Sequence, residues 1–160
     1  MHTISKMSSA LVAATALAAT AAAPAMSADA PENEQHGHVK SSCSGWLLDP
    51  PQELRNDYGE VLGHVEFYYS PANGGENCVI TYTYDSDKTY TEAWMCVNEE
   101  NLGHCARESW DKGWYYDYAG AAYQTKTNGY CVAYAAEIKG DDPTDHRDDA
   151  SYRSGWDHCG

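Results

Sequence analysis

Five large aromatic side chains fall within nine residues, and no other stretch of the sequence offers as much potential for recognition chemistry. They are Trp110, Trp114, Tyr115, Tyr116 and Tyr118. Aromatic rings stack on the C–H faces of sugars, and a flanking aspartate accepts hydrogen bonds from hydroxyls. The alternative is that these rings replace a core poor in Leu, Ile and Phe. The pattern predicts a polysaccharide-binding patch at Trp110, Asp111, Trp114, Tyr116, Asp117 and Tyr118.

A catalytic interpretation rests on His64 and Glu66, which share one face of an alternating segment. A retaining glycosidase needs two carboxyl groups ~5 Å apart, whereas Glu and His on such a face are more typical of a solvated strand surface. The sequence has no Gly-x-Ser-x-Gly nucleophile elbow. We therefore predict a non-catalytic protein that needs no cofactor. A secreted hydrolase using Glu66, His64 or Asp117 is the alternative.

Metal-binding patterns are weak. His36 and His38 supply two imidazoles without a third ligand nearby, and no Cys-x-x-Cys occurs. The aspartates between Asp141 and Asp149 lack the glycine and the final glutamate of an EF-hand loop. We predict no metal site.

Residues 1–30 have the pattern of a secretory signal. Lys6 provides the basic start, an Ala-rich run follows from Ala10 to Ala23, and small residues suitable for cleavage lie between Ala25 and Ala30. The apolar run is too short to anchor the chain in a bilayer. The protein is therefore predicted to be exported.

The six cysteines all follow this signal, and an even count in an exported chain predicts disulfides. They are Cys43, Cys78, Cys96, Cys105, Cys131 and Cys159. We expect Cys96 to bond Cys105, which closes a short polar loop and contributes roughly 2–3 kcal/mol. A protease inhibitor that presents this loop is a further alternative function.

The charge of the chain excludes two classes of partner. Asp and Glu number 24 against 10 Lys and Arg, a formal net charge of −14. Such a protein is repelled by phosphate backbones and by anionic lipids, which argues against nucleic-acid and membrane binding.

Alternating side chains predict the elements that position these residues. Val61–Tyr69 reads as a strand with Val65 and Phe67 on its inner side, and it should pair with a second strand at Cys78–Tyr84. A third strand is predicted around Tyr90–Val97. Asn128-Gly129 predicts a hairpin with a two-residue turn. Its inner face would hold the facing pairs Thr127 and Tyr130, Thr125 and Val132, and Tyr123 and Tyr134.

Composition divides the remainder of the chain. Residues 31–42 are polar and aperiodic and predict a flexible leader, residues 43–139 form the β domain, and residues 140–160 form an acidic tail anchored by Cys159. The predicted fold is all-β, a small antiparallel β-sandwich or barrel stapled by disulfides.

Four segments together resemble the spore-associated protein A family, small secreted proteins of filamentous spore-forming actinobacteria. They are Cys43-Ser-Gly-Trp46, the strand-loop-strand from Val65 to Thr81, Asp111–Gly120 and Gly129–Ile138. The resemblance implies association with spores or aerial growth and carries no established catalytic residue. It also implies the pairs Cys78–Cys131 and Cys43–Cys159. The Cys96 and Cys105 pair and the acidic stretch after Gly140 depart from the family pattern. The expected partner is cell-wall or spore-surface polysaccharide.

Overall fold

The computed structural model describes residues 33–99, 104–142 and 144–159, so the predicted signal lies outside the described residues. Eleven strands form within them: β1 (Glu34–His36), β2 (His38–Val39), β3 (Trp46–Leu47), β4 (Gln52–Arg55), β5 (Val61–Ser70), β6 (Glu76–Thr83), β7 (Thr89–Asn98), β8 (Arg107–Tyr115), β9 (Tyr118–Thr125), β10 (Cys131–Lys139) and β11 (Ala150–Arg153). Single 3₁₀ turns lie at Ala72–Gly74 and His146–Asp148. No helix in this described part of the chain has the length and apolar character needed to cross a membrane.

The strands make two antiparallel sheets. The first sheet has the order β1, β8, β7, β10, β11, and the second has the order β2, β9, β6, β5, β3, with β4 also pairing with β5. The sheets pack face to face: Phe67 of β5 stacks on Tyr134 of β10, with ring centroids 4.4 Å apart. The prediction of an all-β, disulfide-stapled antiparallel fold is confirmed.

The predicted strands in the first half of the domain are also confirmed. β5 and β6 form the expected hairpin, with Gly63 opposite Thr83 and Ser70 opposite Glu76. Val65 and Phe67 are buried between the sheets because alternate side chains of β5 point to the same face. β7 lies where the third strand was expected.

The hairpin predicted at Asn128-Gly129 is wrong. β9 pairs with β6 in the second sheet, whereas β10 pairs with β7 in the first, so the turn crosses from one sheet to the other. Gly129 has positive φ, but Asn128 is absent from the positive-φ residues that a two-residue I′ turn requires. The side chain of Asn128 instead accepts a hydrogen bond from the Tyr69 hydroxyl at 2.9 Å.

The predicted inner face of that hairpin is divided accordingly. Val132 and Tyr134 point into the core, as expected. Tyr123 packs on the outer face of the second sheet, and its neighbour Gln124 is the buried residue. The Gln124 amide donates to the hydroxyl oxygen of Ser109 at 2.7 Å, so a polar pair fills this part of the interior.

The segment predicted as a flexible leader is structured. β1 adds to the edge of β8, and β2 adds to the edge of β9, so residues 34–39 bind both sheets. Gly37, with φ +69°, turns the chain between the two strands, and a Cβ there would lie 2.5 Å from the Glu108 carbonyl oxygen. Free strand edges attract additional strands, which explains why a polar segment is ordered here.

The acidic tail is likewise part of the fold. β11 pairs with β10 along Ala135–Ile138, and Val132 bridges to Asp157. Cys159 anchors the tail as predicted, but its partner is Cys131.

Two of the three disulfide pairs differ from those that the resemblance implies. The bonds are Cys43–Cys78, Cys96–Cys105 and Cys131–Cys159, so only the short-loop pair is confirmed. The alternation of side chains along each strand explains the difference. Cys78 lies on the face of β6 opposite buried Val79, and Cys131 lies on the face of β10 opposite buried Val132. These two cysteines point to opposite outer surfaces of the sandwich, so each bonds a chain segment on its own side.

Candidate functional site

The outer surface of the first sheet carries a group of aromatic rings. Along β8, Ser109 and Asp111 are buried, while Trp110, Lys112 and Trp114 alternate with them on the outer surface. The register of β7 adds two more rings by placing Trp94 opposite Trp110 and Tyr90 opposite Trp114. The tryptophan face is defined here as Tyr90, Trp94, Trp110 and Trp114.

The tryptophan face is organised as two cross-strand pairs. Members of successive pairs are four residues apart along each strand, which corresponds to about 13 Å at about 3.3 Å per residue. The Glu92 and Lys112 positions face each other between the pairs. Tyr90 and Trp114 make an edge contact, with centroids 6.1 Å apart. His36 of β1 stacks on Trp110 at 5.6 Å and extends the aromatic surface across a third strand.

Long cationic side chains lie over three of these rings. The Lys112 ammonium is 4.5 Å from the centroid of Trp110, the Arg153 guanidinium is 5.1 Å from Trp94, and Lys139 is 5.9 Å from Tyr90. Each lysine is also paired with a carboxylate, Lys112 with Glu34 at 3.1 Å and Lys139 with Glu137 at 2.9 Å. The face therefore combines flat rings with hydrogen-bond donors and acceptors.

Burial and neighbouring charges shift pKa values at the centre of the tryptophan face. Burial raises the pKa of Glu92, and the neighbouring Glu137 carboxylate raises it further, while Lys112, Lys139 and Arg153 act in the opposite direction. The hydrogen bond to Glu34 raises the pKa of Lys112, so this ammonium stays charged at neutral pH.

One donor of the tryptophan face has no partner among the described residues. The indole nitrogen of Trp114 is buried and lacks a hydrogen-bond acceptor there, whereas the indole of Trp94 donates to Glu108 at 3.3 Å. An unpaired buried N–H is unfavourable, so a ligand hydroxyl would remove that cost if binding moved the Trp114 ring enough to expose the nitrogen.

Asp111, predicted as a ligand contact, lies on the opposite side of β8 from the tryptophan face. It is 2% exposed, and its carboxylate accepts hydrogen bonds from the Tyr115 hydroxyl at 2.6 Å and from the Gly120 amide at 2.8 Å. Burial and this hydrogen bond raise the pKa of Tyr115 well above its ordinary value. Asp111 therefore connects β8 to β9, and the prediction that it shares a surface with Trp110 and Trp114 is wrong.

The other predicted residues lie where β8 passes into β9. Tyr116 and Tyr118 are 57% and 37% exposed, which agrees with the expectation that some rings of this stretch face solvent. With Asp117 and the buried Asp111 they line a cleft of about 440 Å³, which Lys40 and Ser41 also line. The predicted patch is thus divided: two of its members belong to the tryptophan face and four belong to this cleft.

The His64 and Glu66 pair lies on the outer surface of the second sheet. His64 Nε2 is 3.4 Å from Glu66 Oε1, the other oxygen of Glu66 accepts from the Tyr68 hydroxyl at 2.6 Å, and the imidazole stacks on Tyr82 at 4.8 Å. In the register of the sheet the residue opposite Glu66 is Ile80, so β6 does not place a second carboxyl group directly across from Glu66.

The two histidines considered as metal ligands are separated by the fold. His36 belongs to β1 in the first sheet and stacks on Trp110, whereas His38 belongs to β2 in the second and lies against Tyr123. Across residues 33–99, 104–142 and 144–159, no group of three or more His, Cys, Asp and Glu side chains is arranged to hold a metal ion.

Sequence reasoning missed Tyr90 and Trp94 as members of the site. The signal was available in the alternation of β7, where Tyr90, Glu92 and Trp94 take one face and Ala93, Met95 and Val97 take the other. Comparison of the chain with protein-family models, with curated proteins and with solved structures finds no match.

Proposed function

We propose that this protein is an exported, non-catalytic polysaccharide-binding protein that holds its ligand against the tryptophan face. The observation that carries the proposal is the register of β7 and β8, which sets Trp94 beside Trp110 and Tyr90 beside Trp114 on one sheet surface. A sheet presents such rings with little conformational freedom, which lowers the entropy lost when a chain of sugars binds.

The charged side chains between the rings support the same ligand class. Lys112, Lys139 and Glu92 can donate to or accept from sugar hydroxyls once a ligand displaces the cations from the ring faces. That displacement costs only about 0.5–1 kcal/mol per cation–π contact at an exposed site. A sugar ring that takes the place of a lysine stem regains a comparable apolar contact.

The proposed location is outside the cell, at the spore or hyphal envelope. Three disulfides are typical of an oxidising compartment, and the family resemblance supports the association with spores. The expected ligand is a wall polysaccharide of that surface.

Retention on insoluble cell-wall polysaccharide tests the proposal. The double variant Trp94→Ala/Trp110→Ala removes one ring pair and should weaken binding at least tenfold, which is about 1.4 kcal/mol. Trp114→Phe should weaken it less, since a smaller aromatic ring remains in place of the indole and its N–H donor. Trp46→Ala is the matched control, because Trp46 is 53% exposed but lies on β3 of the second sheet.

Two outcomes would contradict the proposal. Equal retention of the wild type and the double variant would remove the tryptophan face from binding. Turnover of the polysaccharide that Glu66→Gln abolishes would identify a hydrolase and overturn the non-catalytic assignment.

A further inference from the structure

A second concave region lies between the sheets, where β5 ends and β6 begins. It is a cavity of about 550 Å³, within the range of small-molecule sites. Its walls include Leu48, Tyr69, Asn77, Thr127, Asn128 and His158. None of these residues belongs to the tryptophan face or to the predicted aromatic patch.

The ring walls of the cavity are held in place. His158 Nε2 is 2.8 Å from Asp49 Oδ2, and the imidazole lies 5.2 Å from the ring of Phe67 in the core. Elsewhere on the wall, the Tyr69 hydroxyl donates to Asn128, and Trp46 packs edge-on against the Tyr69 ring at 5.3 Å. The neighbouring Cys131–Cys159 bond fixes the chain beside His158. The site is therefore preformed, which reduces the entropic cost of binding.

A buried hydroxyl on the cavity wall has no partner. Thr127 is 3% exposed, and its Oγ1 atom makes no hydrogen bond within the described molecule. The nearby wall residue Asn77 is also 3% exposed, so its amide is withdrawn from bulk solvent. An unpaired buried hydroxyl is costly, and a ligand oxygen placed beside Thr127 would pair it.

The charge of the walls defines the ligand further. The set of wall residues contains no Lys, Arg, Asp or Glu, and the Asp49 carboxylate beside His158 is hydrogen-bonded to that imidazole. The chain carries a net charge of −14, which disfavours anions in general. An uncharged ligand fits this environment, since burying an unpaired charge here would be unfavourable.

We infer that the cavity binds a small uncharged phenol or aromatic alcohol, with its ring between Tyr69 and His158 and its oxygen at Thr127. The aliphatic side chain of Leu48 contacts the remaining apolar part of the ligand. This site is independent of the proposed polysaccharide binding, because the two surfaces share no residue.

Titration of the full exported protein with 4-propylphenol, followed by isothermal calorimetry and ligand-observed NMR, tests the inference. We expect saturable one-to-one binding with a dissociation constant at or below about 1 mM. 4-Hydroxybenzoate, which adds a carboxylate to a similar ring, should bind at least tenfold more weakly.

Variants locate the binding. Leu48→Trp fills the cavity and should abolish binding of 4-propylphenol, and the nearly isosteric Thr127→Val should weaken it about fivefold. Thr125→Val, two residues earlier and outside the cavity walls, is the matched control and should bind as the wild type does. Thermal unfolding of each variant verifies that it is folded.

Binding that persists in the Trp94→Ala/Trp110→Ala variant would support the cavity as the site. The inference is overturned if the wild type shows no saturable binding. It is also overturned if folded Leu48→Trp and Thr127→Val bind unchanged, or if binding is lost in the tryptophan-face variant.

Discussion

The outer surfaces of the two sheets carry similar aromatic side chains but surround them differently. On the second sheet, Tyr68, Tyr82 and Tyr123 pack around a buried apolar cluster of Cys78, Ile80 and Ala121, and Cys43 is bonded across it. Lys40 lies over Tyr123 at 4.5 Å, but the apolar cluster is the main partner of these three rings. On the first sheet, the rings of the tryptophan face lie under the ends of lysine and arginine side chains.

This difference predicts different costs of uncovering the two surfaces. Exposing an apolar cluster costs about 25 cal/mol for each Å² exposed, whereas moving one surface lysine off a ring costs about 0.5–1 kcal/mol. The proposed ligand would therefore displace the covering of the first sheet at little cost, whereas exposing the Cys78, Ile80 and Ala121 cluster of the second sheet would lower its stability.

The largest expected effect comes from opening the covered surface. Cys43→Ala/Cys78→Ala removes a bond between residues separated by 35 positions, and it should lower the free energy of unfolding by roughly 4 kcal/mol. The matched variant Cys96→Ala/Cys105→Ala opens a separation of 9 and should cost roughly 2.5 kcal/mol. Urea unfolding measures both. A smaller loss for the first variant would contradict the structural role given to that surface.

Single substitutions on the two surfaces should differ in the unfolding free energy that they cost, and this is a smaller effect. Ile80→Ala leaves a cavity in the apolar cluster and should cost about 2–4 kcal/mol. Trp110→Ala, from the tryptophan face, should cost about 1 kcal/mol, because its ring is only half-buried, under the Lys112 side chain. Equal losses in urea unfolding would mean that the tryptophan face is structural as well.

The smallest effect depends on pH. Burial and Glu137 raise the pKa of Glu92 above its ordinary value of 4.5, so the folded protein retains this proton at pH values where the unfolded chain has released it. Stability contributed at this site is therefore present at low pH and is lost as the pH rises above 4.5.

Glu92→Gln should consequently be more stable than the wild type at pH 7, by less than about 1 kcal/mol because solvent screens part of the interaction. The difference should vanish near pH 4, which urea unfolding at the two pH values would show. Glu53→Gln, at an exposed position of β4 where Glu53 pairs with Arg55, removes the same charge and controls for the overall acidity. A variant less stable than the wild type at pH 7 would contradict this assignment.

Local patterns were sufficient where pairing partners are neighbours in the chain. β5 and β6 are adjacent and strongly alternating, so their hairpin followed from the residues. The turn at Asn128-Gly129 led to a wrong hairpin prediction because turn propensity is a local property. β9 and β10 each pair with other strands that are distant in sequence. β1 and β2, of three and two residues, are too short to show any periodicity.

The candidate site could likewise be predicted only in part from the sequence. The aromatic density around Trp110 and Trp114 is visible in the sequence, and so is the alternation that makes these two residues share a face. Their pairing with Trp94 and Tyr90 depends on the register of β7 and β8. The loop between these two strands is closed by the Cys96–Cys105 disulfide. The inward position of Asp111 follows from the same alternation, and it could have been predicted once β8 was recognised as a strand.

The short strands β1 and β2 also have a consequence for self-association. They occupy the outer edges of β8 and β9, and Asn33 accepts a hydrogen bond from the Trp114 amide at 3.0 Å. Proteolytic trimming to Cys43 would expose two unpaired strand edges at once, and such edges recruit other chains. The segment predicted as a flexible leader thus covers two strand edges that would otherwise be open to edge-to-edge pairing.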